Sequence, residues 1–374
     1  MYYNEFQGKQ ISALGFGAMR LPTVGEDDSR IDADTAAEMV DYAIAHGVNY
    51  FDTAWGYHGG NSETVMGDIL KKYDRESFFL ATKFPGYDLS NMDKVEEIFE
   101  RQLEKCGVDY FDFYLFHNVC EINIDAYLDE RHGIAAYLRE QKKNGRIRHL
   151  GFSAHGNLDT LRRFLEAYGD DMEFCQLQVN YIDWEFQQAK EKVALMKEHG
   201  IPVWVMEPLR GGKAVRIPDE YMTKLQSLRP DETAVSWAFR FLQGIPEITV
   251  TLSGMSDMAQ LKDNIAIYGE KKATTEKENE VLMEIGEKLM KGVPCTGCRY
   301  CVSHCPQELN IPELLDLYNE HTFTKGGFLA PFAIQAMPED KRPDACVACE
   351  SCVEVCPQNI QIPDILADFV EKLK

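Results

Sequence analysis

The chain has 374 residues, more than one ordinary domain requires, and 45% of them are hydrophobic, which is enough for a large core. Its formal net charge of −22 argues against nucleic acid as a partner, because phosphate backbones are bound by basic surfaces. No apolar run approaches the roughly 20 residues that span a bilayer, and the first residues lack the basic-then-apolar pattern of a secretory signal. These observations predict a cytoplasmic protein of two domains, with no membrane contact.

From residue 12 to about residue 268, eight apolar strand segments alternate with eight amphipathic helices, after a short predicted hairpin over residues 2–12. The first helix, for example, has Asp32 or Asp34 as its cap and ends before Gly47. Near-continuously apolar strands joined by helices are typical of a buried parallel sheet. No Gly-x-Gly-x-x-Gly follows the first strand, which argues against a Rossmann fold. The pattern therefore predicts an α/β protein with a (β/α)8 barrel over residues 1–270.

Three consecutive strands of this predicted barrel end on ionisable residues. The second strand leads to Asp52, with Tyr57 five residues later in a glycine-containing loop, the third leads to Lys83 and the fourth to His117. A Lys and a His that close apolar strands are costly to bury unless they are paired or used. A helix cap and a packing ring would explain Asp52 and Tyr57 alone. The four together indicate catalysis, because barrels of this type carry their chemistry at the C-terminal ends of the strands.

In this order, the four residues resemble the catalytic tetrad of the aldo-keto reductases, and the resemblance extends over about residues 11–264. It implies a (β/α)8 barrel that reduces a small-molecule carbonyl substrate by hydride transfer from NAD(P)H. Tyr57 would donate the proton, Lys83 would lower the pKa of that phenol, Asp52 would hold the Lys, and His117 would orient the carbonyl. Proton donation of this kind contributes about 10²- to 10⁴-fold in rate.

The resemblance also implies a nucleotide site, although several of its positions depart from the family pattern. The matching positions are Ser153, Gln178, Met206, Gly254, Ser256, Gln260 and Asn264. Met206 stands where a Tyr usually stacks on the nicotinamide, and Glu207 follows it. Ser256 replaces the usual Arg for the 2′-phosphate, which argues against a preference for NADP. Other cations that could contact phosphate are Arg210, Lys213, Arg240 and Lys262.

Loop residues on the same face of the barrel are candidates for contact with the substrate. They are Trp55, His58, Cys120, His155 and Trp184. Each residue type is individually commoner as packing or solvated surface than as a ligand. They therefore do not identify the substrate.

Eight of the 11 cysteines fall into two identical runs of the form Cys-x2-Cys-x2-Cys-x3-Cys-Pro. Each run matches the bacterial [4Fe–4S] pattern, in which the fourth Cys binds the other cluster. The first predicted cluster is held by Cys295, Cys298, Cys301 and Cys356. The second is held by Cys346, Cys349, Cys352 and Cys305. Zinc would use pairs of thiolates and would explain neither the third Cys nor the Cys-Pro endings. The other three are interpreted as thiols in a reducing compartment: Cys106, Cys120 and Cys175.

The cysteine runs define a second domain over residues 292–374, after a linker and helix over residues 271–291. The spacer between the runs is long, and helices with Pro in the first turn are predicted to begin at Ile311 and Ile362. This arrangement resembles the α-helical ferredoxin domain of respiratory and dehydrogenase iron–sulfur subunits. A compact βαββαβ ferredoxin would leave less room for helices.

Three functions are compatible with this combination. The first is a carbonyl reductase of the aldo-keto reductase type whose clusters exchange electrons with a redox partner protein. The second is a ferredoxin-linked reductase that the clusters supply with single electrons, without nicotinamide. The third is an electron-transfer subunit, which the intact tetrad argues against. Nicotinamide delivers two electrons as hydride, whereas a cubane passes one at a time, and the sequence has no flavin motif that would couple the two.

Overall fold

The computed structural model describes residues 1–120, 123–289, 292–323 and 329–374. A hairpin of β1 (Tyr3–Phe6) and β2 (Lys9–Ser12) is followed by eight strands that close into a barrel. All eight pair in parallel, and the last lies beside the first. The strands are β3 (Leu14–Gly17), β4 (Tyr50–Asp52), β5 (Phe79–Phe84), β6 (Phe111–Val119), β7 (Ile147–Ala154), β8 (Phe174–Gln178), β9 (Val203–Met206) and β10 (Ile248–Gly254). The predicted (β/α)8 barrel is confirmed.

Helices surround the barrel, and they include the eight that the sequence predicts. They are α1 (Ala33–Ala45), α2 (Ser62–Leu70), α3 (Val95–Cys106), α4 (Ile124–Leu128), α5 (Ile134–Lys143), α6 (Leu158–Tyr168), α7 (Asp183–Phe186), α8 (Ala189–Glu198), α9 (Asp219–Leu228), α10 (Ala234–Gln243) and α11 (Met258–Ile267). The Asp32 carboxylate caps α1 by accepting a hydrogen bond from the Thr35 backbone N–H. The short helices α4 and α7 and the ten-residue helix α9 were not predicted. Each of them lies in the segment that connects a barrel strand to its following predicted helix, at the C-terminal end of the strands.

Aromatic side chains fill the interior of the barrel at its lower end. Tyr50, Phe113, Phe174 and Trp204 are fully buried there. Phe6 of the hairpin closes this end with its ring 5.1 Å from that of Trp204. Because this end is packed solid, polar chemistry is confined to the opposite end, where the strands finish.

The C-terminal domain is helical, as predicted. Its helices are α13 (Ile311–Phe323), α14 (Leu329–Ala336), α15 (Ser351–Glu354) and α16 (Ile362–Lys372). The preceding helix, α12 (Glu276–Leu289), buries Val281, Leu282 and Ile285 in the barrel core, although the sequence assigns it to a linker. Throughout the described ranges, each helix is too short or too polar to cross a lipid bilayer.

Candidate active site

The Lys83 ammonium connects three members of the predicted tetrad. Its Nζ lies 2.6 Å from the Asp52 Oδ1, 2.8 Å from the Thr53 carbonyl oxygen and 3.3 Å from the Tyr57 hydroxyl oxygen. The Gln176 amide donates to the other carboxylate oxygen of Asp52 at 2.7 Å. Asp52 and Lys83 are only 3% and 1% exposed. An ion pair buried this deeply persists because hydrogen bonds satisfy both partners.

Burial dominates the electrostatics of this group. It raises the pKa of Asp52 and lowers that of Lys83, while the contact between the two opposes both shifts. Burial also raises the pKa of Tyr57 well above its ordinary value, and Asp52, Tyr87 and Glu207 act in the same direction. This shift is opposite in direction to the lowering of the Tyr57 pKa expected from Lys83, and burial is its largest cause. The phenol therefore keeps its proton at neutral pH, which is the form a proton donor requires.

His117 completes the predicted tetrad at the end of β6. Its ring lies 6.3 Å from the Tyr57 ring at an interplanar angle of 81°. Burial lowers its pKa well below 6.5, and Lys83 and His155 contribute to this shift. Its Nδ1 atom has no hydrogen-bond partner among the described residues. A neutral imidazole at this position can orient a carbonyl group without competing for its proton.

A cavity of about 440 Å³ extends from the tetrad toward the first turn of α11. Its lining includes Asp52, Tyr57 and His117. It also includes five of the seven predicted nucleotide positions, namely Met206, Gly254, Ser256, Gln260 and Asn264. One continuous space thus joins the proton-donor site to the segment that the sequence assigns to the nucleotide.

The other two predicted nucleotide positions make contacts within the protein and are not part of the cavity lining. The Ser153 hydroxyl accepts a hydrogen bond from the Asn118 backbone N–H at 2.8 Å. The Gln178 amide donates to Asp183 at 2.8 Å and accepts from Gln358 of the C-terminal domain at 3.3 Å. These contacts engage the same groups that would grip a nicotinamide amide.

The cavity lining includes two residues of opposite charge, Arg20 and Glu207. Arg20 was not predicted as a site residue, although it lines the cavity and follows the end of β3 by only three residues. Burial raises the pKa of Glu207, whereas Arg20 and Arg210 lower it. Arg210 also lines the cavity and forms a buried ion pair with Asp183 at 3.0 Å. Arg20 and Arg210 could contact a pyrophosphate, which Glu207 would repel.

The other three cations predicted to contact phosphate do not line the cavity: Arg240, Lys262 and Lys213. Arg240 donates to the backbone carbonyls of Ile267 and Glu270 at 2.9 and 2.8 Å, behind the barrel wall. Lys262 lies over the Tyr42 ring of α1 at 5.3 Å. Lys213 donates to the Val293 carbonyl and pairs with Asp316 at 3.4 Å, both in the C-terminal part of the chain.

Of the five candidate substrate contacts, the structure places His155 in the cavity lining. Burial lowers the pKa of His155 to about 4, so its ring is neutral. His58 lies behind the wall, where its Nε2 accepts from the Leu21 N–H at 3.1 Å. The other three lie outside the lining: Trp55, Cys120 and Trp184.

The C-terminal domain supplies part of the cavity wall through Cys298 and Tyr300. The Tyr300 ring stacks on Tyr87 of the barrel, with centroids 5.7 Å apart at 22°. The Arg20 guanidinium donates to the Gly297 carbonyl at 3.4 Å. Cys298, a predicted cluster ligand, thus lies in the wall of the cavity that contains the tetrad. Local sequence patterns could not predict this contact between the two parts of the chain.

The eight cysteines of the two runs are gathered in two sets of four. One small cavity is lined by Cys295, Cys298, Cys301 and Cys356. The other is lined by Cys305, Cys346, Cys349 and Cys352. Four thiolates around a small apolar cavity fit a [4Fe–4S] cluster. Within the described ranges, no three His, Cys, Asp or Glu side chains converge on a single ion position, and cubane ligands need not do so, since they bind separate corners. None of the 11 cysteines, all in described ranges, forms a disulfide.

Comparison with known proteins identifies both parts of the chain. The aldo/keto reductase family profile matches residues 13–286, and a 4Fe-4S dicluster domain matches residues 294–360. A probable aldo-keto reductase from Glycine max is 28% identical over 56% of this chain and 60% of its own. The NADH-specific methylglyoxal reductase of Escherichia coli is 30% identical over 50% of this chain and 59% of its own. The match thus spans about three fifths of the length of these relatives.

An aldo-keto reductase from Bacillus halodurans has the same fold, with a TM-score of 0.63 and 23% identity, over 76% of this chain and 96% of that chain. The match to the family profile covers the whole barrel together with most of α12. The chain therefore belongs to the aldo/keto reductase family and carries a C-terminal 4Fe–4S dicluster domain.

Proposed function

We propose that the protein reduces a small carbonyl compound to an alcohol, with NAD(P)H as the hydride donor and Tyr57 as the proton donor. The observation that carries this proposal is the chain of contacts from Asp52 through Lys83 to the Tyr57 hydroxyl, at 2.6 and 3.3 Å. The bound nucleotide would supply the hydride. The carbonyl carbon gains that hydride, its oxygen gains the Tyr57 proton, and the overall change is a two-electron reduction.

The residues of the tetrad act together on the proton. Tyr57 carries its proton before reaction, since an ordinary phenol is protonated at neutral pH and burial raises the pKa of Tyr57 further. When the proton leaves, the new phenolate lies 3.3 Å from the Lys83 ammonium, which stabilises it. Asp52 keeps that ammonium in place. The neutral His117 in the same lining donates a hydrogen bond to the carbonyl oxygen and so fixes its position beside Tyr57.

The cysteine sets support two [4Fe–4S] clusters that exchange single electrons with a redox partner protein. Cys349 and its neighbours from residue 347 to residue 350 are exposed, so the second set lies near solvent. The first set reaches the cavity wall at Cys298. This order, from solvent to cavity, suits a path for electrons between a partner and the barrel.

The alternative function is a reductase that takes electrons from the clusters without nicotinamide. It is favoured by the engagement of Ser153 and Gln178 in contacts within the protein and by the Glu207 carboxylate in the lining. The same product would then require two electrons from a reduced one-electron carrier protein and two protons.

Titration of anaerobically purified protein with NADH and then NADPH separates the two functions. The leading proposal expects a nucleotide to bind and to be oxidised when a short aldehyde is added. If neither nucleotide binds while a reduced one-electron carrier supports aldehyde reduction, the cluster-fed function replaces it. Bleaching of the visible cluster absorbance by NADH alone would show that nucleotide and clusters exchange electrons.

A further inference from the structure

Tyr300 is the one residue between Cys298 and Cys301 whose side chain lines the catalytic cavity. It belongs to the cysteine-rich domain, yet it faces the same space as Tyr57 and His117. The tetrad residues belong to the barrel. Tyr300, in contrast, belongs to the segment 295–301, which carries three of the predicted cluster ligands. Residues from two domains thus form one site.

A series of aromatic contacts connects Tyr300 to the tetrad. Tyr300 is stacked on Tyr87 with centroids 5.7 Å apart, and Tyr87 meets the His117 ring edge-on at 5.1 Å and 88°. A methyl group at Gly56 would fall 2.3 Å from the Tyr87 hydroxyl, so Tyr87 lies directly against the loop that carries Tyr57. The three rings therefore pack in series beside the proton donor: His117 and Tyr300 line the cavity, and Tyr87 packs against both.

The segment that carries Tyr300 is fixed against the barrel. A methyl group at Gly211 would lie 2.3 Å from the Thr296 carbonyl oxygen, so the two backbones touch. Gly211 has φ +62°, which glycine adopts without strain. The Arg20 guanidinium donates to the Gly297 carbonyl at 3.4 Å. A wall held at these points cannot swing aside to admit a large substrate without breaking the contacts between the domains.

We propose that Tyr300 determines substrate specificity by closing the carbonyl site to bulky compounds, so that short-chain aldehydes and ketones are the substrates. The inference rests on the proposed carbonyl reductase function. The cavity of about 440 Å³ has to hold the reacting end of the hydride donor as well as the substrate. With Tyr300 in the lining, we expect the space beside Tyr57 to accommodate a carbonyl compound of a few carbons and a fused aromatic ring to collide with the Tyr300 ring.

The test compares propanal with 1-naphthaldehyde in the wild-type protein and in Tyr300→Ala, Tyr300→Leu and Tyr300→Phe. We expect the wild type and Tyr300→Phe to prefer propanal. Removal of the ring in Tyr300→Ala should raise the ratio of kcat/KM for naphthaldehyde to that for propanal at least tenfold. Tyr300→Leu, which keeps an apolar contact with Tyr87, should give a smaller shift in the same direction and serves if the Ala variant loses iron.

Tyr318→Ala is the matched control. Tyr318 is an aromatic residue of the same domain that packs on Phe369 and does not line the cavity. Its replacement should leave the ratio unchanged, whereas an equal shift in Tyr318→Ala would mean that the Tyr300 effect reflects general loosening of the domain. Iron content per chain is measured for every variant.

Equilibrium binding of naphthaldehyde, followed by quenching of intrinsic fluorescence, separates this inference from the proposed reaction. If no variant reduces either aldehyde but Tyr300→Ala binds naphthaldehyde at least tenfold more tightly than the wild type, the reaction is wrong and the role of Tyr300 stands. If the wild type and Tyr300→Ala bind and reduce both aldehydes alike, Tyr300 does not determine specificity.

Discussion

Replacing Tyr57 with Phe removes the proposed acidic proton and little else. The ring can stay beside His117, from which it is separated by 6.3 Å between centroids. Lys83 keeps its stronger contacts with Asp52 and the Thr53 carbonyl, at 2.6 and 2.8 Å. The contact that is lost, at 3.3 Å, is the longest of the three, so we expect the fold and nucleotide affinity to be preserved.

The chemical step should nevertheless slow by roughly 10² or more, because positioned acid catalysis contributes about 10²–10⁴. A hundredfold loss corresponds to about 2.7 kcal/mol of transition-state stabilisation. The assay is steady-state oxidation of NADH or NADPH with propanal, together with equilibrium titration of each nucleotide. The expected pattern is a large fall in kcat with an unchanged nucleotide dissociation constant.

Tyr137→Phe is the control, because its hydroxyl donates to Glu100 at 3.4 Å on the exposed side of the barrel. It should retain wild-type kcat. A Tyr57→Phe protein that also retains wild-type kcat would refute the assignment of the proton to Tyr57. A fall in nucleotide affinity as large as the fall in kcat would instead mean that Tyr57 acts in binding.

Three further predictions address stability, nucleotide choice and metal content. Asp183→Asn removes the carboxylate that pairs with the buried Arg210 guanidinium at 3.0 Å and should lower the free energy of unfolding by about 3–5 kcal/mol, measured by urea denaturation. Asp159→Asn removes an exposed pair and should cost no more than about 0.5 kcal/mol; equal effects would contradict the importance attached to the buried pair. Ser256→Arg should tighten NADPH binding about tenfold to a hundredfold and leave NADH nearly unchanged, and an unchanged NADPH affinity would place the 2′-phosphate elsewhere. Anaerobic protein should contain about eight Fe and eight acid-labile sulfides per chain, whereas zinc without sulfide would rule out the clusters.

The sequence was sufficient for the barrel because its signals are local and repeated. Apolar strands alternate with amphipathic helices. The helix α6, for example, is predicted by the helical spacing of its buried residues, Leu161, Phe164, Leu165 and Tyr168. The same regularity predicts that Asp52, Lys83 and His117 lie close together, since residues that end consecutive parallel strands meet at one end of the barrel, whereas their roles were implied by the resemblance to the family. The helix α9 was missed because it has Pro218 at its N-cap position, without a side-chain cap, and buries only Leu225 completely.

The composition of the cavity wall depends on contacts between distant segments, which no local pattern encodes. The Gln178 side chain forms hydrogen bonds with Asp183 and with Gln358, a residue 180 positions later. Arg20 becomes part of the site only because β3 and β10 are neighbours and the side chain lies against Gly254. Tyr300 reaches the cavity only because the second domain packs on the barrel. The pKa of Tyr57 similarly depends on burial and on Asp52, Tyr87 and Glu207, which come from different segments of the chain.

Transfer of a hydrogen isotope tests the central claim most directly. NADH carrying deuterium at the transferred position of the nicotinamide is mixed anaerobically with the protein and propanal in ordinary water, and the propanol is analysed by mass spectrometry. Direct hydride transfer in the barrel predicts one deuterium on the carbinol carbon of each product molecule. A product whose carbinol hydrogen comes from water would contradict this account and would show that the carbonyl receives single electrons and solvent protons.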